Sequence, residues 1–255
     1  LLDQKKLLFF KKNHVSLKIS YDGEKLQAKQ RLQIKKSNFE NILIKKLELY
    51  KDCLKQVKNL NFRSTLYFKD MTKLSGLLHE IIDKHKSNIG YAFIFQEYKL
   101  ISFEEKELKQ LKTIIKEFIT KKIKHKQYRD ILKILNIKQW LARIHKQNSH
   151  SLYCGAGVNY ISVSSSGKFY LCHRFTESSE ECLGDISHGF NEKLRNNIIE
   201  YRLKKKSPCQ KCWIRNFCNG GCFYEQKMLT GKWDQIHNFF CKLQRLELEL
   251  SIYSY

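Results

Sequence analysis

Proline is nearly absent from this 255-residue chain, with Pro208 its single instance, and no internal repeat or low-complexity segment appears beyond an excess of lysine. No apolar run approaches the length of a membrane span. The longest, such as Tyr91 to Phe95 and Leu7 to Phe10, are only a few residues each, and no charged-apolar-small leader opens the chain. No membrane partner is expected, and a cytoplasmic location is. Acidic residues are scarce, 25 against 48 Lys and Arg, which leaves a formal net charge of +23. That excess would suit nucleic acid or an acidic partner. Only 9 of the basic residues are Arg, however, the type that makes bidentate phosphate and base contacts, and the lysines are strewn over the whole length. The charge reads as a lysine-rich solvated surface, and a nucleic-acid partner is not expected. With 42% hydrophobic residues the chain is not disordered, and its length suffices for one large α/β unit or two domains. Cysteine is also missing from most of the chain, since Cys53 is the only one before Cys154. The chain opens on Leu1 rather than Met, from which upstream residues are expected to have been lost, processed or left out.

Val15 to Ser20 alternates apolar and polar as a strand does and ends in the turn signal Tyr21-Asp22-Gly23. Ser37 and Glu40 form a capping box before Leu43, Leu47, Tyr50 and Leu54 at helical spacing, and Cys53 reads as a buried small residue of that helix. Phe62 to Phe68 is rich in aromatic and β-branched residues, and Asp70 precedes a helical pattern at Leu74, Leu77, Leu78, Ile81 and Ile82. Tyr91 to Phe95 is a third short strand, after which Ser102 and Glu105 cap a helix carrying Leu108, Leu111, Ile115 and Phe118. Three strand-helix units in succession predict parallel strands joined by crossovers, the grammar of an α/β layer or barrel. Leu1 to Phe10 is read as the tail of a helix whose Leu7, Leu8 and Phe9 need a partner. A helix over Tyr128 to His145 and a polar linker at Gln147 to Ser151 place the domain boundary at 150/151. Beyond it, Tyr160 to Val163, Ser164-Ser165-Ser166-Gly167 and Lys168 to Leu171 predict a β-hairpin that delivers Cys172. Phe190, Leu194 and Ile198 mark a further helix, which Pro208 stops short of Cys209.

The informative stretch is Cys154 to Cys241. It reads Cys154-x12-Gly167-x4-Cys172, a gap, Cys209-x2-Cys212-x5-Cys218-x3-Cys222, then Cys241. In a reducing compartment such clustering points to metal rather than disulfides. Cys209, Cys212, Cys218 and Cys222 have local spacings that four-thiolate zinc allows, which leaves Cys154, Cys172 and Cys241 over. Seven cysteines also suit two cubane iron-sulfur clusters, one fully thiolate-ligated and one with a non-cysteine or open iron. Gly220-Gly221 before Cys222 lean slightly to the second, because glycines let backbone N–H groups approach sulfide. Spacing alone leaves both readings open.

The order of the seven cysteines resembles the SPASM domain, the C-terminal auxiliary-cluster domain of radical S-adenosylmethionine (SAM) peptide and protein maturases. The residues that carry the resemblance include Cys154-Gly155-Ala156-Gly157, Tyr170-Leu171-Cys172-His173-Arg174-Phe175, Leu183-Gly184-Asp185-Ile186 and Cys212-Trp213-Ile214-Arg215-Asn216-Phe217-Cys218-Asn219-Gly220-Gly221-Cys222. The resemblance implies two auxiliary [4Fe-4S] clusters with interleaved ligands: Cys154, Cys172 and Cys222 for the first, and Cys209, Cys212, Cys218 and Cys241 for the second. Some relatives add a fourth ligand to the first cluster six residues after its first cysteine, where this chain has Tyr160; Cys182 is a spare thiol nearby in sequence. His173 beside Cys172 is read as pointing away on the opposite face of a strand. More weakly, Val15 to Gly23, Phe62 to Phe68 and Tyr91 to Phe95 resemble the later strands of the radical SAM partial (β/α) barrel. The implied fold is α/β, with those C-terminal barrel strands over 1–150 and a small α+β SPASM domain over 151–255.

One departure bears on mechanism. The family's Cys-x3-Cys-x2-Cys motif, which ligates the cluster that cleaves SAM, is absent from these residues, as is the glycine-rich SAM-contacting motif. The chain alone is expected not to cleave SAM, and SAM with a third [4Fe-4S] cluster enters only if a missing N-terminal part is supplied. The resemblance implies the C-terminal part of an oxidoreductase-type maturase that modifies a peptide or protein, for example by thioether or other cross-link formation. The auxiliary clusters would relay electrons or hold substrate, fed by an external electron donor. The alternative is a stand-alone, non-catalytic iron-sulfur module for electron transfer or peptide binding.

Overall fold

The computed structural model describes residues 3–23, 60–94, 105–146, 154–176, 178, 180–203, 207–218, 220–232 and 235–255. The capping box at Ser37, the helix with Cys53, Ser102 and the linker at Gln147 to Ser151 lie outside the described residues. The chain divides into two compact units. Among described residues the first comprises 3–23, 60–94, 105–139 and 250–255, and the second those from 140 to 249.

The first unit is built on three parallel strands, β1 (Lys18–Ser20), β2 (Asn61–Tyr67) and β3 (Asn88–Ile94), in the order β1-β2-β3. Phe62, Ser64 and Leu66 alternate inward along β2, and the β2–β3 register runs from Asn61 opposite Asn88 to Tyr67 opposite Ile94. Helix α1 (Gln4–Lys12) starts where the Asp3 carboxylate accepts the Lys6 N–H at 2.8 Å. It buries Leu7 alone, while Leu8 and Phe9 are 52% and 58% exposed, so two of the three residues expected to need a partner face solvent. After β2, helix α2 (Lys73–Leu78) buries Leu74, Leu77 and Leu78 and continues as a π-turn through Lys84 that keeps Ile81 and Ile82 inside.

The expected helix over Tyr128 to His145 is two helices, α4 (Tyr128–Ile131) and α5 (Leu135–His145). Ile134 in the break bridges Ile89, the Ile89 N–H donates to the Lys133 carbonyl at 2.9 Å, and the Asn136 side chain exchanges hydrogen bonds with both backbone groups of Tyr91. Part of the outer edge of β3 is thereby satisfied, a demand that helical periodicity does not reveal.

Helix α3 (Glu105–Lys124) buries Leu111, Ile115, Phe118 and Ile119, and on the same stripe Lys122, which is paired with Asp83 and Asp130 and donates to Gln127 at 2.9 Å. Burial works against all three charges, but their hydrogen bonds with one another, with Lys133 at Asp130 and with His79 at Asp83 outweigh it, so the ammonium is raised and both carboxyls are lowered. Stabilisation from depressed carboxyls is present above their unfolded pKa of about 3.9 and is lost as pH falls through the lower folded values. Lys122→Met is expected to cost about 2 kcal/mol at neutral pH, between the values for exposed and buried pairs, with the deficit shrinking below about pH 4. Urea unfolding across pH measures this, and a deficit that stays constant in acid would refute it.

In the second unit a four-stranded antiparallel sheet runs β4 (Ser162–Val163), β5 (Lys168–Tyr170), β6 (Cys182–Asp185) and β7 (Gly189–Phe190) in chain order. The expected hairpin forms, turning where Gly167 takes φ +77° and the Ser164 hydroxyl accepts the Lys168 N–H at 3.1 Å. Phe190 belongs to β7 rather than to the following helix: it pairs with Gly184, and its ring lies 5.0 Å from that of Phe169. Helix α6 (Glu192–Leu203) begins instead at Asn191, whose side chain accepts the Leu194 N–H. Pro208 sits inside a short helix, α7 (Ser207–Gln210), where the first turn tolerates it. Then come α8 (Arg215–Cys218), α9 (Phe223–Thr230) and α10 (Asn238–Tyr253).

Candidate metal centre

All seven predicted ligands lie in the second unit, and none of the eight described cysteines forms a disulfide. They fall into two neighbourhoods. Cys209, Cys212, Cys218 and Cys241 line one pocket together with Pro208, Ile214, Gly220, Arg215 and Arg245. Three of these thiols come from consecutive tight turns. The Cys212 N–H donates to the Cys209 carbonyl at 3.1 Å, Cys212 in turn accepts from Arg215, and α8 ends at Cys218. The fourth, Cys241, stands in the first turn of α10. Burial pushes the Cys218 thiol up to about 12, reinforced by Cys241, Cys209 and Cys212 in that order. Arg143 supplies the charge that opposes this rise. From α10, four residues past Cys241, the Arg245 guanidinium donates to the Cys212 sulfur at 3.6 Å, and its buried Nε has no hydrogen-bond partner. Trp140, Ile214, Cys218 and Leu248 form the core behind this pocket.

The second neighbourhood holds Cys154, Cys172 and Cys222, which pack against a core that includes Tyr170, Leu171, Phe175, Leu183, Phe223 and Tyr224. Burial raises the Cys172 thiol, while hydrogen bonds from the Arg174 and Phe175 backbone N–H groups act to lower it and Cys154 adds to the rise. Burial likewise pushes Cys222 up to about 11 against a hydrogen bond from the Glu225 backbone N–H, with Arg174 opposing and Cys154 adding. Backbone N–H groups pointed at sulfur are the environment that thiolate-bound clusters need. The Tyr160 phenol is pushed up to about 12 by burial first, then by Cys154 and Cys172, by a hydrogen bond with Cys154, and by Cys222. Tyr160 as a whole residue is 47% exposed.

Cys182 is placed on β6, where its sulfur donates to the Gly184 carbonyl at 3.5 Å. His173 is exposed, as expected, but for another reason: the strand ends at Tyr170, and His173 begins a 3-10 turn through Phe175. Sequence reasoning missed Arg245 and Gln226. The i,i+4 spacing of Arg245 to Cys241 on one helix was an available signal for the first. Nothing local announced Gln226, whose buried amide donates to the Gly220 carbonyl at 3.3 Å and accepts the His237 N–H at 2.6 Å, clasping the Cys218–Cys222 turn to the start of α10. Among the described residues, no three His, Cys, Asp or Glu stand close enough to hold a single metal ion.

Gly220 and Gly221 are both at positive φ, +83° and +74°. A Cβ at Gly221 would stand 2.2 Å from the Phe240 ring, whereas one at Gly220 meets nothing within 4 Å. Gly221→Ala is expected to cost about 3 kcal/mol from strain plus overpacking, and Gly220→Ala about 1 kcal/mol from strain alone. Denaturant unfolding under anaerobic conditions measures the pair, and equal costs would refute the steric argument.

The fold of this chain, a parallel α/β layer and an antiparallel, cysteine-bearing α+β unit, is shared with solved structures of a radical SAM/SPASM maturase. The chain is similar to native anSMEcpe, an anaerobic sulfatase-maturating enzyme of that class, with bound AdoMet (S-adenosylmethionine): TM-score 0.75, 17% identity, 99% of this chain and 70% of that one covered. It is similar also to anSMEcpe with AdoMet and the Kp18Cys peptide, at TM-score 0.73 and 16% identity over 99% and 71% of the two chains. With AdoMet and the Cp18Cys peptide the TM-score is 0.73 and the identity 17%, over 99% and 72%. No protein-family model matches the chain, and no curated protein does. No helix among the described residues is long and apolar enough to cross a membrane.

Proposed function

We propose that this chain forms the later barrel strands (1–150) and the SPASM auxiliary-cluster domain (151–255) of a radical SAM/SPASM maturase that modifies a peptide or protein. The observation that carries the proposal is the sorting of seven cysteines into a group of four and a group of three, on a fold shared with an enzyme solved with AdoMet and peptide. Cys209, Cys212, Cys218 and Cys241 would hold one [4Fe-4S] cluster, and Cys154, Cys172 and Cys222 the other. The residues present fit such groups. Four-thiolate zinc needs its sulfurs about 3.8 Å apart, the edge of a tetrahedron with bonds of about 2.3 Å. A cubane keeps each thiolate on a different iron and so spreads the sulfurs around a wider pocket.

When bound, such clusters supply one-electron relay, fed here by an external donor, or a substrate-binding iron. The chain's own residues set the surroundings. The N–H groups of Arg174, Phe175 and Glu225 stabilise thiolate on Cys172 and Cys222, and Arg245 offsets negative charge at Cys212. A thioether or other cross-link is one example of the bond such an enzyme would make in its substrate. A second reading, a non-catalytic electron-transfer or peptide-binding module, is favoured by one observation, the lack of Cys-x3-Cys-x2-Cys in these residues.

The test of the cluster assignment is metal analysis of protein purified or reconstituted without oxygen. About eight Fe per chain and a brown colour are expected from two cubanes. One tightly bound zinc with negligible iron would overturn the assignment.

A further inference from the structure

Among the described residues no Asp or Glu lines the pocket of Cys209, Cys212, Cys218 and Cys241, whereas Arg215 and Arg245 both do. The two arginines are held differently. Arg215 is exposed and donates from Nη1 to the Gln210 carbonyl at 2.6 Å. Arg245, half-buried on α10 one turn past Cys241, donates from Nη2 to the Cys212 sulfur at 3.6 Å. Its Nε is buried and has no hydrogen-bond partner. In a guanidinium the Nε–H bond and one Nη2–H bond lie parallel along one edge, the fork that grips two neighbouring acceptors at once. With Nη2 on Cys212, Nε points to the same side and needs a second acceptor beside that sulfur, because a buried donor left unmade costs free energy. A cubane supplies one, since each of its irons carries inorganic sulfides next to the thiolate. Arg174, two residues past Cys172, is instead paired with Glu225 and lies over the Tyr224 ring, 4.0 Å from its centroid.

We propose that Arg245 sets the reduction potential of the cluster held by Cys209, Cys212, Cys218 and Cys241, with Nη2 bonded to the Cys212 thiolate and Nε to a bridging sulfide. The inference rests on the two-cluster reading above. One electron taken from the external donor adds negative charge to iron and sulfur, so both N–H···S bonds strengthen on reduction and favour the reduced cluster. No covalent bond forms or breaks, and the guanidinium keeps its proton throughout. The fork biases the electron toward the group of four, relative to what four thiolates alone would give.

The test is a potentiometric titration of the reconstituted chain followed by electron paramagnetic resonance, with Cys209→Ala marking which signal belongs to the group of four. Wild type is compared with Arg245→Met, Arg245→Lys and Arg215→Met. Arg245→Met is expected to keep about eight Fe and to lower the reduced-to-oxidised ratio of that cluster about tenfold at a fixed potential, a downward shift of about 59 mV for one electron. The other cluster should not move. Arg245→Lys keeps the charge without the fork and should fall between Arg245→Met and wild type. Arg215→Met removes a cation that donates to a carbonyl rather than to sulfur, and its shift should be clearly smaller. Loss of about half the iron in Arg245→Met alone, with a lowered potential in Arg245→Lys, would equally support the proposal. An unchanged potential in Arg245→Met would overturn it, as would equal shifts in Arg245→Met and Arg215→Met, or half-loss of iron in both Arg245 variants. Wild-type protein with negligible iron would instead overturn the two-cluster reading itself.

Discussion

Replacing Cys209 or Cys212 with Ala is expected to lower the iron of the reconstituted chain from about eight to about four atoms, leaving one cluster spectrum intact. The expectation follows from space rather than from sequence order. Cys209 and Cys212 share their pocket with Cys218 and Cys241, whereas Cys222, only four residues beyond Cys218, belongs with Cys154 and Cys172. Cys172→Ala should remove the complementary half. Cys218→Ala should be the most damaging of the set, because that side chain also packs with Trp140, Ile214 and Leu248. The Cys218–Cys222 turn, held by the Gly221 N–H to the Cys218 carbonyl at 3.1 Å and clasped by Gln226, is the shortest stretch of chain through which loss at one group could reach the other. Complete iron loss from every cysteine variant would show that the unit does not fold with one cluster alone, and would refute independent sites.

The second expected result is that the 255-residue chain, reconstituted and reduced with dithionite, releases no 5′-deoxyadenosine from SAM. Reductive cleavage needs an iron left open by three closely spaced thiolates so that SAM can chelate it, and Cys53 is the sole cysteine before Cys154. The trio of Cys154, Cys172 and Cys222 is not expected to substitute, since it lacks the close Cys-x3-Cys-x2-Cys spacing and no SAM-contacting glycine-rich motif accompanies it. A polypeptide that joins these residues to a barrel half carrying Cys-x3-Cys-x2-Cys is expected to cleave SAM. Turnover by the present chain, free of contaminating enzyme, would refute the argument. Absence of turnover in both polypeptides would favour the electron-transfer or peptide-binding reading.

The parts legible in the sequence are those that local chemistry settles. Alternation along Phe62 to Phe68 gave β2, although Val15 to Ser20 shortens to three strand residues. Ser164-Ser165-Ser166-Gly167 set the hairpin, because φ +77° at its last residue is a glycine conformation. Periodicity found the buried stripe of α3 but hid the break at Ile134, since a helix signal does not report that a neighbouring strand needs its edge groups satisfied. It also placed Phe190 on the helix, where the demand of Phe169 for a ring partner places it on β7.

By itself the sequence determined that thiolate chemistry is concentrated between Cys154 and Cys241, that three parallel strands precede it, and that the SAM-cleaving motif is not among these residues. Spacing left open which thiol meets which, a sorting that only the family resemblance implied and that the tertiary structure brings about: Cys218 and Cys222 are near neighbours in the chain and part to different groups, while Cys154, Cys172 and Cys222 converge across 68 residues. Tertiary structure alone set Tyr160 against the trio and Arg245 against Cys212. The physical reason is that spacing fixes only how far apart two side chains can be. Which of them meet is fixed by burial of the Tyr170, Leu171 and Tyr224 core, and by the backbone groups that burial forces to find partners.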